Sequence, residues 1–187
     1  MKIFFSNQLK NFANQLQTLQ AKKVMFYNLT ELSEKISIIE LKSSLSLDEV
    51  NLDCLFDYQI FPEYIMSALP QWKNEKRRMK VGDNILQQVY LPPIKIFSLK
   101  IIFAVRISAI IDEKYRKGFS YETLEGHVEK GISTFTIEER DGKLIFKIHT
   151  FSKPGNFFSK LFAPIFSLPY QKYCTGKALM NVKENIR

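Results

Sequence analysis

A chain of 187 residues with 45% hydrophobic and 25% charged side chains has the balance of one globular domain able to bury about 70% of its extended surface, which excludes a disordered or fibrous protein. Two Cys and two His exclude a dense disulfide framework and a three-histidine zinc site. The formal charge of +8 leaves attraction to nucleic acid, anionic lipid or an acidic ligand open.

The chain begins with a three-residue apolar run, Ile3 to Phe5, too short for a secretory core of roughly 7 to 15 residues. Uncharged apolar stretches such as Leu161 to Gln171 also fall short of the roughly 18 residues of a membrane span, so the expectation is a soluble, cytoplasmic protein. From Ser6 to Gln20, Leu9, Phe12, Leu16 and Leu19 recur at spacings of three and four and predict one face of a helix. Lys23 to Leu29 reads as a short strand, and Ile36 to Leu45, with Ile38, Ile39 and Leu41, as a longer one. Asp48 is placed to cap a helix running through Phe56, and Pro62 to open a short helix carrying Ile65, Met66 and Leu69 that Pro70 stops. Cys54 and Cys174 have no partner at metal or redox spacing and are expected as buried free thiols.

After Trp72 comes the densest basic cluster, Lys73, Lys76, Arg77, Arg78 and Lys80, interrupted by Glu75. Charge runs usually form solvated faces, and no nucleic-acid-binding signature accompanies this one, so a solvated turn is its first reading and contact with an anionic membrane its second. Between Lys95 and Ile111 the odd positions Phe97, Leu99, Ile101, Phe103, Val105 and Ile107 are apolar, while Ser98, Lys100, Arg106 and Ser108 hold the other parity, which predicts a strand with one buried face. Ile132 to Glu138 and Leu144 to Phe151 flank Asp141-Gly142, which suits a type I′ hairpin turn. With Arg140 facing Lys143, Ile137 stands opposite Phe146 and Phe135 opposite Ile148 on one apolar face, leaving Thr134, Thr136, Lys147 and His149 on the other. Further on, Phe157, Phe158, Leu161, Phe162, Ile165 and Phe166 form an apolar helical stripe that Pro164 and Pro169 kink or restart, with the helix resuming through Tyr173, Leu179 and Val182.

No repeat, linker or low-complexity tract divides the chain, so residues 1–187 are taken as one domain with 1–30 as an N-terminal helical extension. The pattern is α+β: a curved antiparallel sheet with a long C-terminal helix laid across its concave face. Sixteen Phe bring apolar area without a polar handle, pointing to either a filled aromatic core or an aromatic-lined cavity between sheet and helix.

The stretch Gly118-Phe-Ser-Tyr-Glu-Thr-Leu-Glu-Gly-His-Val-Glu-Lys-Gly131, followed by Phe135 and by Phe151-Ser-Lys-Pro154, resembles the family called domain of unknown function nineteen-ninety. Trp72, Val81-Gly82, Arg106, Pro164 and Gln171 extend the likeness more weakly. Ile132 and Ser133 stand where the family usually carries an acidic pair. The resemblance implies the START-like helix-grip fold, whose members commonly hold lipids or other apolar molecules between sheet and helix; it implies no reaction.

Three functional classes follow, of which the last is an interaction module that meets an anionic membrane or a partner surface through the basic cluster and the apolar helical stripe. In the first, a noncatalytic protein binds a small hydrophobic or amphipathic molecule against Phe103, Phe135, Phe146, Phe158 and Phe162, with Trp72, Arg106, Tyr121, Thr123 and His127 as further ligand-binding candidates. In the second, His127 and Glu129 project to one side of an extended segment as an acid/base pair at the cavity entrance. A structural histidine in a Gly-flanked loop is the competing account of His127. No phosphate loop, nucleophile elbow, cofactor motif or metal cluster is recognisable.

Overall fold

The computed structural model describes residues 2–155 and 168–186. The elements are β1 (Lys2–Phe4), α1 (Phe12–Thr18), β2 (Ser33–Glu40), α2 (Asp53–Phe56), β3 (Met66–Pro70), α3 (Gln71–Asn74), β4 (Asn84–Leu91), β5 (Leu99–Glu113), β6 (Arg116–Thr123), β7 (Glu129–Arg140), β8 (Lys143–Pro154) and α4 (Leu168–Asn185). Seven strands lie in the order β2-β8-β7-β6-β5-β4-β3, and β1 pairs with β5 beyond the point where β6 leaves it. All pairs are antiparallel.

The Asp141-Gly142 turn has positive φ at both residues, 50° and 73°, the backbone that a two-residue hairpin between twisted strands requires. It pairs Arg140 with Lys143, Ile137 with Phe146 and Phe135 with Ile148, the register the sequence predicts. Phe119 faces Phe135 on the next strand, rings stacked at 5.4 Å, a contact worth about 1 kcal/mol beyond the area it buries. Against this concave face α4 sets Ala178, Val182 and, just past its end, Ile186, all fully buried at a four-residue spacing. The phenylalanine stripe at 157–166 lies outside the described residues.

The N-terminal segment covers the convex face. Phe12, Leu16 and Leu19 are buried against Leu86, Ile102, Ala104 and Leu124, so the helical spacing is realised as α1 with a 3-10 turn at each end, while Leu9 stays partly exposed. This covering buries both faces of β4 and buries Lys100, whose Nζ donates to the Ser98 carbonyl at 2.7 Å. The simple alternation expected for β5 therefore holds only on its concave side. Strand β5 also begins later than the alternation suggests, and Phe97 lies exposed in the preceding loop.

Three other expectations are corrected. The helix expected from Asp48 to Phe56 is broken by Asn51, whose side chain accepts from the Asp53 N–H at 2.7 Å and opens the short α2 afresh. The helix expected after Pro62 makes one turn, to which Ile65 and Met66 donate, and then becomes β3 because the open edge of β4 supplies ladder bonds. Lys23 to Leu29 contributes one bridge, Val24 to Leu124, instead of a strand.

At Gly131 (φ 150°) a Cβ would lie 1.9 Å from the Phe151 carbonyl oxygen, whereas at Gly176 on α4 it would meet nothing within 4 Å. Gly131→Ala is expected to cost at least about 2 kcal/mol, and Gly176→Ala to add up to about 1 kcal/mol, in urea denaturation followed by circular dichroism.

Candidate functional site

Between the concave face and α4 lies a cavity of about 860 Å³, within the range of small-molecule sites. Its apolar lining includes Ile65, Val89, Phe103, Phe135 and Ile148 from the sheet side and Leu179 from α4. Tyr58 enters from the turn after α2 and packs its ring edge-on to Phe135, centroids 6.5 Å apart.

Polar side chains gather at one level of the sheet. Tyr121 stands opposite Ser133, Ser133 opposite Thr150 and Thr150 opposite Lys35, one transverse row over β6, β7, β8 and β2. Ser133 Oγ and Thr150 Oγ1 are 3.0 Å apart. Behind the row, Gln87 Nε2 donates to Tyr58 Oη at 2.6 Å. The Tyr121 hydroxyl interacts with those of Tyr58 and Ser133. Burial pushes both phenols above the ordinary tyrosine range, so they stay protonated.

At the rim, Lys35 Nζ donates to Gln171 Oε1 at 2.8 Å and Gln171 Nε2 donates to Glu129 Oε1 at 2.7 Å. One amide thus ties α4 to β2 and β7 and engages both charges.

Of the residues singled out from sequence, Phe103, Tyr121, His127, Glu129 and Phe135 line the cavity. Four others do not. Trp72 is buried in the core and donates Nε1–H to the Phe56 carbonyl at 2.9 Å. Phe146 packs into the closed core on the inner face. Thr123 Oγ1 accepts from the Gly131 N–H at 3.1 Å and so braces β6 to β7. Arg106 points to the convex side, where Nε donates to Asn84 Oδ1 and Nη2 to the Leu19 carbonyl at the end of the N-terminal helical turns. Phe158 and Phe162 lie outside the described residues.

The carboxylate and imidazole expected side by side are separated, because the segment at His127 turns instead of running extended. The His127 N–H donates to the Leu124 carbonyl, with Gly126 at φ 87°. His127 Nδ1 then lies 2.8 Å from the Glu129 carbonyl oxygen and 3.0 Å from its N–H, while the Glu129 carboxylate serves Gln171. The ring packs on Phe103 at 4.2 Å. Burial drives its pKa down to about 3, leaving a neutral ring without the carboxylate partner a general base would use. Among the described residues no group of three or more His, Cys, Asp or Glu is placed to hold a metal ion.

Cys54 and Cys174 are free; burial pushes Cys54 up to about 11, and Cys174 is half-buried in the cavity wall. In the basic cluster Arg77 forks onto buried Asp83 at 2.7 and 2.6 Å and also pairs with Glu75, while Lys73 pairs with Asp57, so two of its five cations are engaged within the fold. Tyr58, Gln87, Ser133, Thr150 and Gln171 were not foreseen as cavity residues. Ser133 and Thr150 share the parity of Phe135 and Ile148 and were open to the same register argument, whereas Tyr58 and Gln87 left no such signal.

A family model described as Domain of unknown function (DUF1990) matches residues 52–180. No curated protein matches the chain. Among solved structures, ginseng major latex-like protein 151 from Panax ginseng aligns with a TM-score of 0.57 at 11% identity, covering 82% of this chain and 97% of its own. Protein Ms6760 from Mycobacterium smegmatis aligns at 0.51 and 12%, covering 88% and 96%. A hypothetical protein, jhp0584, from Helicobacter pylori aligns at 0.51 and 8%, covering 84% and 95%. At these identities the likeness shows the helix-grip fold alone.

The neutral state of His127 has a measurable consequence. Its folded pKa lies below the ordinary 6.5, so as pH falls through 6.5 the unfolded chain takes up a proton that the folded chain refuses, and stability declines. Between pH 7.5 and 5.5 the native chain is expected to lose about 1.4 kcal/mol relative to His127→Gln, in denaturant titrations of both.

Proposed function

The chain belongs to the DUF1990 family, a premise that brings a fold and no reaction, and from it and the cavity we propose that the protein binds a small hydrophobic or amphipathic molecule between the sheet and α4. The observation that carries this reading is the cavity's volume combined with its lining. Phe103, Phe135, Ile148 and Leu179 offer apolar contact over most of the wall, with a few convergent polar groups at one level, the usual composition of a ligand site. A dedicated acid/base pair is not part of this reading, since Glu129 and His127 engage different partners.

Native mass spectrometry of the purified protein should show a noncovalent small-molecule adduct, and the neutral dye Nile red should bind the emptied protein. Leu179→Trp, which adds bulk to the wall, should weaken dye binding at least about tenfold while leaving the fold intact by circular dichroism. Neither adduct nor dye binding in the native chain would defeat the proposal.

A second reading rests on the β4–β5 connection, where Ile94, Ile96 and Phe97 are 52%, 78% and 82% exposed. The base of this loop, Leu91 and Ile101, packs with Val128 and Tyr170, two cavity-lining residues, so the loop borders the ligand site. An apolar tip fits peripheral contact with a membrane surface, an anionic one if Lys95 exchanges its 2.6 Å pair with exposed Glu63 for a lipid phosphate. Flotation with phosphatidylcholine vesicles carrying phosphatidylserine should recover the native chain, and Ile96→Ser with Phe97→Ser should abolish recovery; failure of the native chain to float at low salt would remove this reading.

A further inference from the structure

The inward positions of three neighbouring strands change chemistry at the same level. Strand β6 presents Phe119 and then Tyr121, β7 presents Ile137, Phe135 and then Ser133, and β8 presents Phe146, Ile148 and then Thr150. On the other side of β6 and β5, β4 sets Gln87 inward between Ile85 and Val89. A core needing only to be filled gains nothing from a buried amide and a row of hydroxyls, each of which must find a hydrogen-bond partner on leaving water.

Tyr58 adds a second, independent sign. It holds a left-handed backbone, φ 58°, which a bulky residue adopts at a cost. That conformation seats its ring among Phe61, Phe119, Tyr121 and Phe135 and brings its hydroxyl to Gln87. Backbone strain is thus accepted where a phenol is set into the cavity wall.

Within this group there is no charge. Tyr58, Gln87, Tyr121, Ser133 and Thr150 are neutral hydrogen-bonding groups, and the neighbouring His127 is kept neutral by burial. Among the described residues lining the cavity, cations stand only at the margin: Lys172 is exposed, and Lys35, at the open end of the row, is turned to Gln171. A carboxylate brought to the level of Tyr121 would give up its water for neutral partners, or would have to take Lys35 from Gln171. A hydroxyl or carbonyl meets donors and acceptors already in place.

We propose that the molecule held in this cavity is a neutral amphipath, with a hydroxyl or carbonyl group docked on Tyr121, Ser133 and Thr150 and its apolar body against Phe135, Ile148 and Leu179. The proposal deepens the binding function above and rests on it. Tyr121, Ser133 and Thr150 set the preference for an oxygenated ligand, Gln87 acts through the Tyr58 hydroxyl that meets Tyr121, and the apolar wall supplies affinity without discrimination between hydrocarbon and alcohol.

The test uses one ring skeleton with four C9 substitution patterns, three neutral and one anionic: fluorene, 9-hydroxyfluorene, 9-fluorenone and 9-fluorenecarboxylate, each titrated against protein loaded with Nile red. The alcohol and ketone are expected to displace the dye at least about tenfold more effectively than the hydrocarbon and the carboxylate. In the Tyr121→Phe, Gln87→Leu double variant, alcohol and hydrocarbon should converge to within about threefold, with an unchanged far-ultraviolet circular dichroism spectrum and thermal transition reporting an intact fold. Equal affinity for hydrocarbon, alcohol and carboxylate would overturn the proposed selectivity while leaving binding itself standing. Tighter binding of the carboxylate, lost in Lys35→Met, would overturn it in favour of an acidic ligand held at the rim. Failure of Nile red and of the whole series to bind would sink the binding function and this inference together.

Discussion

The register of the β7–β8 hairpin governs what the concave face can present. Because successive side chains of a strand point to opposite faces, a slip of β8 by one residue at Asp141-Gly142 would send Phe146 and Ile148 outward and bring Lys147 and His149 in against Phe135 and Ile137. The turn forbids that slip by requiring positive φ at two successive residues. From this fixed pair the order spreads to both sides: β6 takes its place on β7 through Phe119 and Phe135, and β2 on β8 through Ser37 and Ile148. The transverse row of Tyr121, Ser133, Thr150 and Lys35 is an outcome of that alignment, assembled from four strands whose residues are far apart in sequence.

A sheet this strongly committed on its inner face still needs an outer covering, and the N-terminal segment supplies it. Arg106 shows how the covering is held. Its guanidinium spans from Asn84 on β4 to the carbonyl of Leu19, so the end of the N-terminal helical turns is anchored to the middle of the sheet. Gln8 adds a second anchor through its N–H to Gln88 Oε1 at 2.9 Å. The polar parity of β4 and β5 thus serves internal attachment, which explains why an arginine that looks available to a ligand in the sequence faces away from the cavity.

Periodicity made the hairpin, the concave side of β5 and the N-terminal helix legible, since each has its apolar spacing matched by one continuous neighbour; the stripe that predicts the final helix lies outside the described residues, and beyond it Val182 is buried while Tyr173 is exposed. It failed where a neighbour overruled it. Ile65, Met66 and Leu69 have helical spacing, yet the open edge of β4 draws the chain into β3. Lys100 reads as a solvent-facing residue until the N-terminal segment folds over it. At the site, Phe103, Phe135 and Tyr121 could be found from strand parity, but Tyr58 enters through a left-handed turn and Gln87 through a strand buried on both faces, neither of which a local pattern encodes. His127 and Glu129 were misread together: a two-residue spacing brings side chains together only in extended chain, and Gly126 bends the segment away from that geometry.

The neighbours Gln87 and Gln88 carry the last consequence. One amide looks into the hollow toward Tyr58, and the next, joined to it by a single peptide plane, holds the N-terminal arm on the opposite surface. The wall between interior and exterior is here one strand thick. Gln87 and Gln88 belong to the same rigid unit, so the outermost layer of the molecule is mechanically adjacent to its innermost space.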